Sequence, residues 1–216
     1  MKKFELTTES ITNEAGKKLF RIKALIDFGD VKAGEPGGYV EKEGNVSQDD
    51  NAWVSGDAEV FGNAKVYGNA KVFGNAKVYD NAWVSGDAKV YDNARVYDNA
   101  RVSGNAWVYD NAWVSGDARV SGNAWVYGDA RVSGNARVSG DADYALVQGF
   151  GTEFRCTTFY RGKNKKIMVN CGCFHGDLEG FRKQVKETRN GKIAKEYLMI
   201  ADLMEYHFTS EDSSNE

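Results

Sequence analysis

The stretch Asn51-Ala-Trp-Val-Ser-Gly-Asp-Ala-Glu-Val-Phe-Gly62 holds two copies of a hexapeptide that continues as far as Ala142. Each copy has Asn or Asp, then Ala, a variable residue, Val, a second variable residue, and Gly or Asp. Valine recurs at every sixth position from Val54 to Val138, fifteen times without a slip. A unit this short cannot bury its apolar side alone and must stack on its neighbours. The period therefore predicts a solenoid.

Within each unit, Ala and Val are two residues apart, so both point to the same side of a short strand and the variable residues point outward. Gly, Asp and Asn tolerate the backbone angles that corners between strands require. Three strands and three corners make one 18-residue coil. Residues 51–143 are therefore predicted to form about five coils, stacked to a height of roughly 24 Å.

This array resembles the hexapeptide-repeat family, in which an aliphatic residue is followed four places later by a small one. Val54 with Ala58, and each later pair through Val138 with Ala142, matches that pattern. The resemblance implies a left-handed parallel β-helix, and the handedness comes from the resemblance alone. The alternative, a disordered low-complexity tract, is disfavoured because the apolar phase never drifts.

The two flanks follow other patterns. Residues 1–50 predict an N-terminal β cap, with a hairpin around an Asn-Glu-Ala-Gly-Lys-Lys turn and a tight turn at Pro36. Residues 144–208 predict a small ββαα unit, and residues 209–216 a flexible tail. The elements predicted for the ββαα unit are a hairpin over residues 154–160 and 166–171, a helix over residues 178–188 capped by Asp177, and a helix over residues 193–207. The fold class is thus mainly β.

The order of these parts resembles uncharacterised hexapeptide-repeat proteins of phages and prophages. The segments that carry the resemblance, besides the array, are Asp27-Phe-Gly-Asp-Val31, Gly37-Gly-Tyr-Val-Glu41, Thr157-Thr-Phe-Tyr160, Cys171-Gly-Cys-Phe174 and Lys195-Glu-Tyr-Leu198. The resemblance implies a phage-type source more than a mechanism.

Bulk properties exclude several classes. A net charge of −3, from 28 basic and 31 acidic residues, disfavours a general DNA-binding or membrane-binding protein. No apolar run approaches the ~20 residues of a membrane span. The N-terminus lacks the apolar core of a signal peptide, and three cysteines make no disulfide framework. We expect a soluble, cytoplasmic protein, in the host cytosol if it is phage-encoded.

Outward positions 18 residues apart should stack into columns on three faces. We call face one the columns that begin at Trp53 and Ser55, face two those that begin at Glu59 and Phe61, and face three those that begin at Lys65 and Tyr67. The aromatic residues of face one either form a cross-strand ladder or are buried in an interface. Since proteins of similar fold are often trimers, we expect a homotrimer that buries Trp53, Phe73, Tyr91, Trp107, Tyr109, Trp125 and Tyr127.

Face three carries a column of three arginines, Arg101, Arg119 and Arg137, about 5 Å apart. Like charges this close repel each other unless anions or carboxylates intervene. One interpretation is that the corner aspartates neutralise them, namely Asp98, Asp117 and Asp141. The other is an anion site, with guanidiniums on phosphate and nearby aromatic rings on bases, which would suit a nucleotide or a short oligonucleotide.

The C-terminal unit contains a candidate zinc set, Cys156, Cys171, Cys173 and His175. These residue types are acceptable zinc ligands. However, Cys-x-Cys-x-His is not a usual zinc spacing, and buried thiols beside a surface histidine are the alternative. We therefore predict no cofactor, with zinc kept as an alternative.

The function predicted from the sequence is non-enzymatic binding. A hexapeptide-repeat acyltransferase generally needs a general-base histidine on or beside the β-helix. The array contains no histidine, since His175 and His207 both lie in the C-terminal unit. We expect a homo-oligomer that binds a host protein or a nucleotide-like anion and antagonises host defence. The alternatives are a virion-associated or scaffolding protein and an acyltransferase.

Overall fold

The computed structural model describes residues 2–210. It shows a mainly β chain built around a parallel β-solenoid, with antiparallel strands before it and an antiparallel sheet and two helices after it. The predicted fold class is confirmed. No helix in residues 2–210 is both long enough and apolar enough to cross a membrane.

The N-terminal cap consists of β1 (Phe4–Thr12), β2 (Lys18–Ala24) and β3 (Pro36–Val40). The first two form the predicted hairpin, with Phe4 opposite Ala24 and Thr12 opposite Lys18. The third strand pairs antiparallel with β2 on one side, and on the other it pairs parallel with the first strand of face two. The cap therefore continues one solenoid sheet and forms an incomplete coil below the first full one.

The array forms fifteen two-residue strands, in which each outward residue precedes a buried valine. In chain order they are β4 (Trp53–Val54), β5 (Glu59–Val60), β6 (Lys65–Val66), β7 (Lys71–Val72), β8 (Lys77–Val78), β9 (Trp83–Val84), β10 (Lys89–Val90), β11 (Arg95–Val96), β12 (Arg101–Val102), β13 (Trp107–Val108), β14 (Trp113–Val114), β15 (Arg119–Val120), β16 (Trp125–Val126), β17 (Arg131–Val132) and β18 (Arg137–Val138).

These strands form three parallel sheets, one for each predicted face. Face one has the order β4-β7-β10-β13-β16, face two β5-β8-β11-β14-β17 and face three β6-β9-β12-β15-β18. Paired residues are 18 positions apart, as in Lys89 with Trp107 and Trp107 with Trp125. The coil length read from the sequence is confirmed, and each face is a set of vertical columns.

The interior of the array is lined by the small and β-branched residues of the repeat. Every Ala and Val of the array from Ala52 to Val138 is at most 1% exposed. Because packing at this density leaves no spare volume, a larger side chain would force backbone shifts that cost about 1–3 kcal/mol.

The corners explain the Gly/Asp and Asn/Asp positions. From Gly56 to Gly134 the sixth residue of the unit has a positive φ, including the non-glycine corners Asp80, Asp92, Asp98 and Asp110, with φ of 55–58°. Asp is one of the few side chains that tolerate this region. The first residue of the unit forms amide ladders, one of which runs from Asn93 through Asn111 to Asp129 with donor–acceptor distances of 3.3 and 3.1 Å. A carboxylate has no donor, so each Asp ends its ladder.

The C-terminal unit differs from the prediction. Its sheet has four antiparallel strands instead of two: β19 (Tyr144–Val147), β20 (Thr157–Arg161), β21 (Ile167–Cys171) and β22 (Phe174–Asp177). The hairpin prediction missed β19 because this strand follows the last coil with no turn sequence longer than the short 3-10 segment Asp141–Asp143. It missed β22 because the turn before it has only two residues, with Gly172 at φ 61°.

The two helices are α1 (Leu178–Thr188) and α2 (Gly191–Ser210). The predicted Asp177 cap is confirmed, since Gly180 N donates to Asp177 Oδ1 at 2.9 Å. Of the predicted flexible tail, residues 209–210 belong to α2 and residues 211–216 lie outside the described residues. The helices pack on the sheet around a second core formed by Phe159, Val169, Phe181, Val185, Ile200, Met204 and Phe208.

Candidate functional site

The C-terminal unit packs on the last coils beside face two and leaves a groove between them. Hydrogen bonds join β17 to the C-terminal sheet: Arg131 N donates to Thr158 Oγ1 at 3.0 Å, and Asn170 Nδ2 donates to Arg131 O at 2.7 Å. The loop over residues 148–156, between β19 and β20, forms part of the opposite wall. The groove has a volume of about 1020 Å³, at the upper end of the range for small-molecule sites.

The floor of the groove is a column of three side chains from face two. Arg95, Trp113 and Arg131 lie directly beside one another on β11, β14 and β17. The guanidinium carbons lie 5.2 Å (Arg95) and 4.9 Å (Arg131) from the centroid of the Trp113 ring. Because Trp113 lies on the strand between theirs, the two guanidiniums cover its ring from opposite sides. Neither forms an ion pair with a carboxylate in the described part of the chain.

The walls differ in chemistry. One wall is the amide ladder that ends at Asp129, whose carboxylate accepts from Asn111 Nδ2. The other wall carries Arg155, which forms a loose ion pair with Glu153 at 3.8 Å, and Phe154, which is 66% exposed. Three arginines and one aspartate line the groove. Its local charge is therefore positive, although the chain has a net charge of −3. Such a lining attracts anions.

A histidine network closes the end of the groove at the last coil. His175 Nδ1 lies 2.6 Å from Asn170 Oδ1 and 3.4 Å from both Ser133 Oγ and Tyr160 Oη. A catalytic Ser-His pair uses one ring nitrogen for the nucleophile and the other for the orienting group. Here all three partners meet the same nitrogen, so the network ties the C-terminal sheet to the solenoid and builds no nucleophile.

The predicted zinc set is not assembled. Among residues 2–210 there is no group of three or more His, Cys, Asp or Glu side chains that could hold a metal ion. The register places Cys171 opposite Thr157, whose Oγ1 donates to Cys171 Sγ at 3.1 Å, and not opposite Cys156. His175 is held by Asn170, and Cys173 is exposed. Burial raises the pKa of the Cys156 thiol, which further disfavours a thiolate there.

On face one, Trp53 is not available to a partner. Its side chain is 4% exposed and lies edge-on to Phe4 and Phe28, with ring centroids 6.1 and 5.3 Å away. The N-terminal cap therefore covers the first residue of the predicted interface. Its burial could not be read from the repeat, because Phe28 lies in an irregular segment of the cap.

The other face-one aromatic residues form a ladder. The rings of Phe73, Tyr91, Tyr109 and Tyr127 stack at centroid distances of 4.8, 5.0 and 5.4 Å. Trp107 and Trp125 stack at 5.0 Å with an interplanar angle of 4°. Because the ring faces are used within the ladder, mainly ring edges point to solvent. Trp125 and Tyr127, at the end of the two columns, are the most exposed at 44% and 46%.

On face three, the register confirms the arginine column, since Arg101 pairs with Arg119 and Arg119 with Arg137. Arg101 lies 4.7 Å from the ring centroid of Trp83. Arg137 Nη1 donates to the carbonyl groups of Ala136 and Asp117 at 2.7 and 3.0 Å. Burial lowers the pKa of Arg137, and the neighbouring Arg119 lowers it further.

Asp98 and Asp141 accept from backbone amides instead of these arginines, whereas the Asp117 carboxylate accepts from Asn99 Nδ2 and only partly offsets the lowered pKa of Arg137. Asp98 Oδ2 accepts from Gly116 N at 3.1 Å, and Asp141 Oδ1 accepts from Trp125 N at 2.9 Å. Within residues 2–210 none of the three arginines forms an ion pair with a carboxylate. Unlike Arg95 and Arg131, however, these three arginines do not line the groove beside face two.

Sequence reasoning missed the groove floor. The spacing of 18 residues placed Arg95, Trp113 and Arg131 in one column, and an Arg-Trp-Arg column was the available signal. The repeat could not show that the C-terminal unit would stand over this column, because that position depends on tertiary contacts such as Arg131 N with Thr158 Oγ1.

Comparison with protein families finds four stretches similar to the YdcK Beta solenoid repeat, at residues 94–110, 100–116, 112–128 and 130–142. The similarity supports a β-solenoid repeat for the last coils. A search of curated proteins gives no match.

Proposed function

We propose that this chain is a non-enzymatic binding protein that holds an anionic, nucleotide-like ligand in the groove between face two and the C-terminal unit. The observation that carries the proposal is the pair of guanidiniums, Arg95 and Arg131, which face the groove without a carboxylate partner. Two cations on one ring repel each other. An anion would relieve that repulsion and accept charge-assisted hydrogen bonds.

The ring of Trp113 supports this role by holding the guanidiniums in place. Arginine stacks well on an aromatic face, and a stacked guanidinium loses less conformational freedom when it binds. With both faces of Trp113 covered, a base cannot stack on this ring. Phe154 at the groove wall, 66% exposed, is the side chain best placed to contact a planar base.

The arginine column of face three is the competing anion site. Arg101 and Arg119 are exposed and lack ion pairs in the described part of the chain, but Arg137 is bound to backbone carbonyl groups. An exposed column in water binds an anion weakly, because high dielectric and salt screen each charge. The groove therefore supports the proposal better.

The wider proposal keeps a phage-type cytoplasmic protein that antagonises host defence by sequestering a nucleotide signal or by blocking a host protein. Self-association through face one is its second part, now centred on Trp107, Trp125 and Tyr127. The exposed ends of the two ladder columns favour it, since aromatic residues commonly anchor interfaces. A virion-associated role and acyl transfer remain the alternatives.

Calorimetric titration of the purified protein with inorganic phosphate and adenosine monophosphate tests the groove. The double variant Arg95→Gln/Arg131→Gln should lose saturable binding, whereas Lys65→Gln, an exposed lysine at the far end of face three, should bind normally. If Arg101→Gln/Arg119→Gln abolishes binding and the groove variant does not, the anion site lies on face three. Absence of binding to the unmodified protein at millimolar anion would overturn the proposal.

A further inference from the structure

We infer that the groove takes a ligand with two separate anionic groups, one on Arg95 and one on Arg131, aligned along the axis of the solenoid. This inference rests on the proposed function, because it names the ligand class of the same site. The inference concerns the distance between the two anionic groups of the ligand, whatever chemical spacer joins them.

The geometry of the floor sets the distance between the two anionic groups. The guanidinium carbons lie 5.2 and 4.9 Å from one ring centroid, so they are no more than about 10 Å apart. The ring between them imposes a minimum, because two van der Waals layers of about 3.5 Å separate them by at least about 7 Å. Because the two arginines lie two strand spacings apart, about 9.6 Å along the axis, a single phosphate or carboxylate group is too small to hydrogen-bond both guanidiniums with good geometry.

The two ends of the floor are not equivalent. Beside Arg131 lie Asp129, which repels an anion, and Asn170, whose Nδ2 is occupied by Arg131 O and Ser133 Oγ. Beside Arg95 lie Asn93 and Tyr97, which carry no charge. We therefore expect the anionic group on Arg95 to be held more tightly than the group on Arg131.

Two weak sites joined by a spacer of the right length act as one strong site, since the second contact becomes intramolecular. A spacer that cannot reach gives no gain, and a spacer that is too long gives a smaller gain. The length dependence of affinity therefore reports the distance between the sites. A simple attraction of charge would show no maximum.

The experiment is a calorimetric series with inorganic phosphate, pyrophosphate and straight-chain alkanediol bisphosphates of increasing length. We expect affinity to peak where the phosphates span about 7–10 Å, at least about 10-fold above inorganic phosphate. Arg95→Gln and Arg131→Gln, each alone, should reduce the best bisphosphate to the affinity of inorganic phosphate. Lys65→Gln should keep the peak, and thermal unfolding without ligand should show that all the variants fold.

The outcomes separate this inference from the proposed function. If phosphate and every bisphosphate bind equally, and Arg95→Gln/Arg131→Gln abolishes all binding, the groove binds anions but the two-point ligand is wrong. The same holds if a single arginine variant keeps the full length dependence. If no anion in the series binds to the unmodified protein, both proposals are wrong.

Discussion

The two ends of the solenoid are built from the same repeat but expose opposite backbone chemistry. Most N–H groups between coils, those of the outward residues, donate to the coil above, as Trp53 N does to Ala70 O. The first coil is therefore left mainly with carbonyl oxygens and the last coil mainly with N–H groups. At the first end the alanine carbonyl groups are capped by donors: Lys3 Nζ binds Ala52 O, Tyr39 N binds Ala58 O and Asn45 Nδ2 binds Ala64 O, each at 2.9 Å.

At the last end the N–H groups of outward residues are capped by acceptors. Asp141 Oδ1 accepts from Trp125 N at 2.9 Å, Thr158 Oγ1 from Arg131 N at 3.0 Å and Asp143 Oδ2 from Ser139 N at 2.7 Å. Since buried backbone groups must be paired, the chemistry of each cap follows from the direction of the strands. The ends also differ in shape: the N-terminal cap continues a sheet of the solenoid, whereas the C-terminal unit stands beside face two and leaves the groove.

Reversing the chemistry of a cap should have the largest effect. Lys3 is 2% exposed, and its ammonium group binds the carbonyl groups of Asp50 and Ala52. Lys3→Glu would place a carboxylate against those oxygens, which we expect to cost about 4 kcal/mol of unfolding free energy. The reciprocal change at the exposed end, Asp141→Lys, should cost only about 1–2 kcal/mol.

Urea denaturation of both variants measures these costs, with Lys3→Met as the control that removes the charge without reversing it. We expect Lys3→Met to lie between the unmodified protein and Lys3→Glu. Equal losses for Met and Glu at position 3 would mean that packing, and not the direction of the strands, decides what the cap must be.

The buried ammonium group of Lys3 should also make the free energy of unfolding depend on pH, an effect of intermediate size. Burial lowers the pKa of Lys3 to about 8, against a smaller raising effect of Asp50. The unfolded chain then binds the proton more tightly than the folded one above pH 8, so stability should rise with pH. Between pH 8 and about 10 the gain is about 2 kcal/mol. Urea denaturation across this range should show the unmodified protein gaining that amount of unfolding free energy relative to Lys3→Met. Parallel plots of unfolding free energy against pH for the two proteins would contradict the prediction.

The two regions also differ in what sequence reasoning could reach. The period predicted the coil length, the three faces, the buried Ala and Val columns and the positive-φ corners, because each follows from local geometry repeated without change. The sequence did not predict three features: the cap residues that bury Trp53, the strands β19 and β22, and the groove beside Trp113. Each depends on how a non-repeating segment packs on the array, and only tertiary contacts such as those of Phe28 and Asn170 decide that.

The smallest expected effect concerns the groove, where Asp129, a hydrogen-bond acceptor, lies beside Arg131 of the proposed anion site. Asp129 ends an amide ladder by accepting from Asn111 Nδ2 at 3.1 Å, and an Asn at this position would accept the same bond. Asp129→Asn should therefore leave stability nearly unchanged and remove one negative charge beside Arg131. We expect phosphate to bind about 3-fold more tightly, with the gain shrinking at high salt.

Asp117 offers a matched control for this change, because it ends another ladder in the same way, accepting from Asn99 Nδ2 at 3.1 Å. Asp117 does not line the groove, so Asp117→Asn should leave calorimetric phosphate affinity unchanged. Weaker binding by Asp129→Asn would mean that the carboxylate accepts a hydrogen bond from the ligand. The groove would then select a ligand with both an anionic group and a donor, in keeping with a sugar hydroxyl beside a phosphate.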